Sequence, residues 1–178
     1  MTDARHAWLG YLILSFVLIP LLFVLRHRRS PFVVRIPPAD RYGWIEAIYA
    51  CTLIGYTAWL LVLPPAAPAH AIAGWMMFVA GALLVTCAVL AMGPSWRIGQ
   101  DPDDTGVEQI TSGLYGSIAH PIYAGMILVA AGVSLLDDRM PRSVLLLALT
   151  ALYTLIQSAA ENARWSGRAA SYGPRPGR

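Results

Sequence analysis

Apolar residues fall into five blocks, Trp8 to Leu25, Trp44 to Leu63, Ala71 to Met92, Ile122 to Leu136 and Val144 to Ala160, separated by polar or proline-rich connections. A bilayer crossing takes about 20 apolar residues as a helix, so the pattern predicts about five transmembrane helices. The fourth block is short for a full crossing and is rich in small residues, Ala124, Gly125, Ala130, Ala131 and Gly132, which suit close packing against the third helix. The connection between the last two blocks, Asp137 to Ser143, is so tight that they must form an antiparallel helical hairpin. The expected fold is therefore an all-α integral membrane protein with a cytoplasmic C-terminal tail helix. Residues 1–178 read as a single membrane domain: 1–91 make a three-helix N-terminal part whose third span ends near 92, and 93–178 hold a loop, the hairpin and the tail.

The flanks of these blocks give orientation. Arg26-His27-Arg28-Arg29 follows the first block at once, without the small residues of a cleavage site, so that block reads as a retained anchor. Pro64 to Pro68 ends the second block and Gly93-Pro94 the third. With the N-terminus outside, the inner segments collect Arg26, Arg28, Arg29, Arg35, Arg41, Arg97, Arg164, Arg168, Arg175 and Arg178, and the outer ones only Arg5, Arg139 and Arg142. Positive charge gathers on cytoplasmic loops, so the C-terminus and the longest polar connection, Gly93 to His120, are expected in the cytoplasm, at a bacterial inner membrane.

Composition agrees with the pattern. Hydrophobic residues make up 57% of the chain and charged ones 13%, with a mean hydropathy of +0.55. These values exclude a disordered chain and argue against a soluble enzyme. The net charge is +3, carried by arginines in connections without interleaved aromatics, which fits anionic lipid headgroups and not nucleic acid. Cys51 and Cys87 lie inside apolar blocks and read as small packing residues. His6, His27 and His70 have no partner at metal-ligand spacing, so no metal is expected. Glu46 sits one turn inside the second block, where its carboxylate is expected to reach water or Arg41 in a structural role.

Chemistry concentrates in Thr111 to Gly125. Proline suits the first position of a helix, so His120-Pro121 reads as the start of the fourth helix, whose free N–H groups at the cytoplasmic edge can face an anionic group. Tyr115, His120 and Tyr123 put hydrogen-bonding tips and aromatic faces around that start.

Ser95-Trp96-Arg97-Ile98-Gly99, Thr111-Ser112-Gly113-Leu114-Tyr115 and His120-Pro121-Ile122-Tyr123-Ala124-Gly125, followed by the hairpin, Glu161 and Tyr172, resemble the C-terminal half of isoprenylcysteine carboxyl methyltransferase-like membrane proteins. The resemblance covers roughly Met92 to Tyr172. It implies an enzyme that binds S-adenosylmethionine at the cytoplasmic ends of its last helices, which makes 93–178 the cofactor-binding part. Family-like roles place Gly113, Leu114, Tyr115, His120, Pro121 and Tyr123 around the cofactor, Glu161 on its ribose or amino-acid end, and Tyr172 closing the pocket. His120 and Glu161 are the candidates for catalytic proton removal from an amine or thiol acceptor. The implied acceptor is lipophilic or small: an isoprenylcysteine-like carboxylate, a phospholipid amine or a thiol, met among membrane lipids.

The chain departs from the family pattern at several positions. Ala119 and Gly116 stand where basic residues are usual, a glutamate pair is reduced to Ala160-Glu161, and Arg168-Ala169 replaces Phe-Gly in the tail. Arg97, Arg164 or Arg168 can substitute for the missing cation. These departures motivate a second reading, a catalytically degenerate scaffold of the same fold. A third is an NADPH-dependent enzyme similar to the sterol reductases, which share a His-Pro-x-Tyr-like helix start but carry arginine and asparagine where Ala119 and Ile122 stand here.

Overall fold

The computed structural model describes residues 4–33, 38, 41–62, 70–99, 109–137 and 140–171. Five long helices carry the fold: α1 (Ala4–His27), α2 (Arg41–Val62), α3 (Ala71–Met92), α4 (Pro121–Leu136) and α5 (Met140–Ser171). Four of them are long and apolar enough to cross a bilayer, and α4, with 16 residues, is the shorter apolar helix foreseen from its block. At 1.5 Å per residue α4 extends about 24 Å, less than the roughly 30 Å of a hydrocarbon core. α1 widens to a π-helix over Leu14–Leu18, just before Pro20, which has no N–H to donate and crowds the preceding turn.

α5 runs unbroken for 32 residues, so the tail continues the last span through Ser171 as one helix. Tyr172 lies outside the described residues.

The closest packing joins α3 to α4. Helices in lipid gain nothing from hiding apolar surface from other apolar surface, so they associate where small residues let backbones approach. Gly74 and Gly81 on α3 face Gly132 and Gly125 on α4 in antiparallel order: a Cβ at Gly81 would lie 2.7 Å from the Gly125 carbonyl oxygen, and one at Gly132 would lie 2.8 Å from that of Gly74. The small residues of the fourth block thus find glycine partners on α3 that its own pattern does not reveal.

Two apolar clusters flank this seam. Trp8, Tyr11, Tyr56, Leu60, Val129, Val133, Leu136 and Leu146 tie α1 and α2 to the hairpin, with the Trp8 indole N–H donating to Thr57 Oγ1 at 2.8 Å. Ile19, Phe23, Val85, Val89 and Trp96 join the C-terminal half of α1 to the end of α3 and the segment after it. Cys51 and Cys87 are both exposed, on outer faces of α2 and α3, and neither packs in these clusters. Their faces are apolar because a bilayer solvates them, which an apolar block alone cannot distinguish from a core.

The face that α5 turns inward is largely polar: Ser143, Thr150, Thr154 and Gln157 are buried beside Leu146 and Ala160, while Val144, Leu145, Leu152 and Leu155 point outward. At its N-terminal end Arg142 makes a two-pronged contact with Asp137 (2.6 and 2.7 Å), Ser143 donates to the same carboxylate at 2.7 Å, and Arg142 lies over the Trp59 ring of α2. Both charges are buried, which costs solvation energy that the paired geometry offsets.

Gly81→Ala is expected to lower stability by about 1–3 kcal/mol in detergent unfolding, because its Cβ meets backbone atoms that cannot yield. Gly55→Ala, where the space is open, should change it by less than about 0.5 kcal/mol. Arg142→Ala, which strands a buried carboxylate, should cost about 3–5 kcal/mol in the same assay, and replacing Asp137 and Arg142 together by leucine and methionine should recover most of that loss.

Candidate functional site

The residues singled out around His120 converge at the start of α4. Ser112 to Tyr115 forms a tight turn closed by the Tyr115 N–H on the Ser112 carbonyl at 3.2 Å. Gly113 takes φ 60° and ψ −127° there, the first central position of a type II′ turn, which favours glycine. Leu114–Ser117 follows as a single helical turn that delivers the Tyr115 hydroxyl to the Ala88 carbonyl of α3 at 3.3 Å. Burial first, and the nearby Glu161 charge second, push the Tyr115 phenol above its usual pKa, so it remains a neutral donor.

His120 precedes the first residue of α4 and Pro121 is that residue, as their order predicts. The Ala124 N–H reaches back to the His120 carbonyl at 3.1 Å, whereas the N–H groups of Ile122 and Tyr123 precede the first helical acceptors.

Glu161, across the hairpin on α5, is the centre of the cluster. One carboxylate oxygen accepts a short hydrogen bond from the Tyr123 hydroxyl, and the other lies 3.3 Å from His120 Nδ1. His120 Nε2 is 3.1 Å from Asn162 Oδ1, and the His120 and Tyr123 rings are nearly parallel with centroids 5.6 Å apart. His120 and Glu161 keep 22% and 35% of their side-chain surface exposed, so the cluster is reachable from outside. A carboxylate beside the start of α4 also lies where the helix dipole favours negative charge.

Gly113, Leu114, Tyr115, His120, Pro121, Tyr123 and Glu161 all belong to this one region. Gly113 and the Ala119 that stands for a family arginine are exposed. Arg97 is engaged with backbone carbonyls, donating to those of Pro94 and Trp96, both at 2.8 Å. The side chains of Arg164 and Arg168 lie outside the described residues.

Several contributors come from the N-terminal half, which the sequence reading assigns to orientation and lipid contact. Ala88 supplies a carbonyl to Tyr115, and Phe23 packs edge-on against Trp96 at 5.4 Å. The segment after α1 pairs with the one after α3: Ile98 N–H donates to the Pro31 carbonyl at 2.8 Å, and Val33 N–H to that of Ile98 at 2.9 Å. Glu46 turns toward Gln157 of α5, whose amide lies 3.5 Å away, and the side chain of Arg41 lies outside the described residues. A glutamate one turn inside an apolar block was the signal available for that contact, and its partner, more than a hundred residues away, carried none.

A family model for phospholipid methyltransferases matches residues 69–165, more than half of the chain and the segment that holds α3, α4 and the described part of the site. The fold and the match define a membrane methyltransferase. The chain belongs to the phospholipid methyltransferase family, consistent with the isoprenylcysteine carboxyl methyltransferase-like resemblance of its motifs. No curated protein and no solved structure matches it significantly.

Tyr123→Phe, which removes a hydrogen bond to a charged group, is expected to destabilise the protein by about 1.5–3 kcal/mol. Tyr115→Phe, which removes a neutral one, should cost about 0.5–1.5 kcal/mol in the same unfolding measurement.

Proposed function

We propose that this protein uses S-adenosylmethionine to methylate a lipophilic or small acceptor at the membrane, with the cofactor taken up from the cytoplasmic side at the start of α4. The observation that carries this reading is the cluster of His120, Tyr123 and Glu161, brought together from the two arms of the hairpin within the family-matched segment. The donor set fits the cofactor. Glu161 complements its cationic amino-acid end or hydrogen-bonds its ribose, and the first-turn N–H groups of α4 offer donors to its carboxylate. Gly113 leaves open space where a side chain would project. Leu114 and Pro121 add apolar contact, and Tyr172 is assigned a closing role from the tail.

When bound, the cofactor supplies an electrophilic methyl carbon on a sulfonium. This chain's residues then act chiefly by position: holding an acceptor in line in a site shielded from water can remove several kcal/mol of barrier without a covalent catalyst. For an amine or thiol acceptor a proton must also leave, and Glu161 or His120 would accept it; for a carboxylate neither is needed. The His120–Tyr123–Glu161 hydrogen bonds fix the carboxylate so that it is pre-oriented for that task. In this reading the N-terminus is outside, the C-terminus is cytoplasmic, and residues 1–178 act as one membrane domain.

Titration calorimetry of the purified protein with S-adenosylhomocysteine tests the proposal. Micromolar binding is expected, weakened at least tenfold by Glu161→Ala and by His120→Ala. A folded wild-type protein that binds no S-adenosylhomocysteine but gains thermal stability from NADPH would overturn it in favour of the reductase, since only a ligand of the native state raises the melting temperature.

A further inference from the structure

Arg26, Arg28 and Arg29 are exposed at the end of α1, outside the family-matched residues 69–165, and among the described residues none of the three makes an ion pair. Arg26 sits in the last turn of the helix, where a cation meets unpaired carbonyls and the negative end of the dipole. Arg28 is different. It ends the helix with φ 55° and ψ 28°, the left-handed conformation, while its N–H closes on the Val24 carbonyl at 2.8 Å. Among the described residues it is the one non-glycine with positive φ, and glycine is the residue that takes such a helix end without a steric penalty. Orientation of the span does not call for an arginine at this position, because positive charge serves that end from anywhere within about 15–20 residues of a helix terminus.

The segment is built into the fold. The Arg29 guanidinium lies over the Phe23 ring, 5.9 Å from its centre, and Phe23 packs against His27 and Trp96 with centroids 4.7 and 5.4 Å apart. The Phe32 N–H donates to Ser30 Oγ at 3.1 Å, and the chain on either side of Phe32 hydrogen-bonds to Ile98 through Pro31 and Val33. The backbone that carries Arg28 and Arg29 is thereby fixed at both ends.

An apolar surface leads up to these arginines. Leu25 lies one helical turn from both Leu21 and Leu22, and the three side chains are 51%, 61% and 63% exposed in chain order. One more turn reaches Arg28 and Arg29. A soluble anion complements the arginines alone, whereas a phosphate carried on acyl chains complements the charges and the leucines together.

We infer that the end of α1 is a binding site for an anionic phospholipid, its phosphate held by Arg28 and Arg29 and its acyl chains lying along Leu21, Leu22 and Leu25. The site stands independently of the methyltransferase reading.

The test uses the full chain in nanodiscs of equimolar phosphatidylglycerol and phosphatidylcholine, with the lipids retained on transfer to detergent counted by native mass spectrometry. Phosphatidylglycerol is expected to be retained at least fivefold over phosphatidylcholine. R28G and R29Q should each lower that ratio about fivefold, the factor that one arginine near an anionic headgroup contributes. In pure phosphatidylcholine nanodiscs the melting temperature of R28G should equal or exceed that of the wild type, because glycine fits the left-handed position. Weaker lipid retention with an undiminished fold separates a binding role from a structural one. Equal retention of the two lipids by the wild type, an unchanged ratio in either variant, or a lower melting temperature of R28G overturns the inference. Displacement of the retained phosphatidylglycerol by millimolar inorganic phosphate assigns the arginines to a free anion and overturns it as well.

Discussion

The approach of the α3 and α4 backbones at their facing glycines fixes the geometry on which the rest of the structure depends. In hydrocarbon there is no hydrophobic gain from bringing two apolar helices together, so their association rests on van der Waals contact and on polar groups that find partners inside the protein. Gly81 and Gly125 allow that contact two residues beyond Tyr123, and Gly74 and Gly132 repeat it seven residues further along α4. With two contact levels the register of α4 on α3 cannot slip. The height of the His120-Pro121 start is thereby set against the end of α3, where Ala88 receives Tyr115.

Polar residues hold the other interface. α5 presents Ser143, Thr150, Thr154 and Gln157 to its neighbours beside Leu146, and turns Leu145, Leu152 and Leu155 to the outside, an arrangement largely inverted relative to a soluble helix. Each inward polar group needs a partner, because water is not at hand to supply one. Asp137 and Arg142 pair at one end of the helix, Tyr49 and Glu46 meet Thr150 and Gln157 in its middle, and Tyr123 and His120 meet Glu161 toward the other end. This satisfaction of buried polar groups joins the hairpin to α2 and aligns the chemical groups along one stripe.

Much of the fold was legible in the chain. Five apolar blocks became five long helices, the short fourth block became the short helix, and the seven-residue connection became a hairpin stapled by the residues at its ends. His120-Pro121 marked a helix start because proline's fixed φ and missing N–H suit that position. The pairing of Glu161 with Tyr123 and His120 was partly legible, since motif order placed them in one region, but no local rule states which oxygen meets which donor. Cys51 and Cys87 show the limit in the other direction: apolar surroundings in sequence do not tell a lipid-facing position from a packed one.

The sequence by itself determined the number of the long helices and where their apolar stretches lie, because hydrocarbon thickness and the cost of unpaired backbone groups leave a long apolar block little choice. It also determined the start of α4, where Pro121 follows His120. Only the tertiary structure decided which glycines of α3 meet those of α4, that Glu46 faces Gln157, and that the segment after α1 pairs with Ile98. Those contacts join residues tens of positions apart, and their choice depends on rotation and register between helices, which a periodic apolar pattern leaves free.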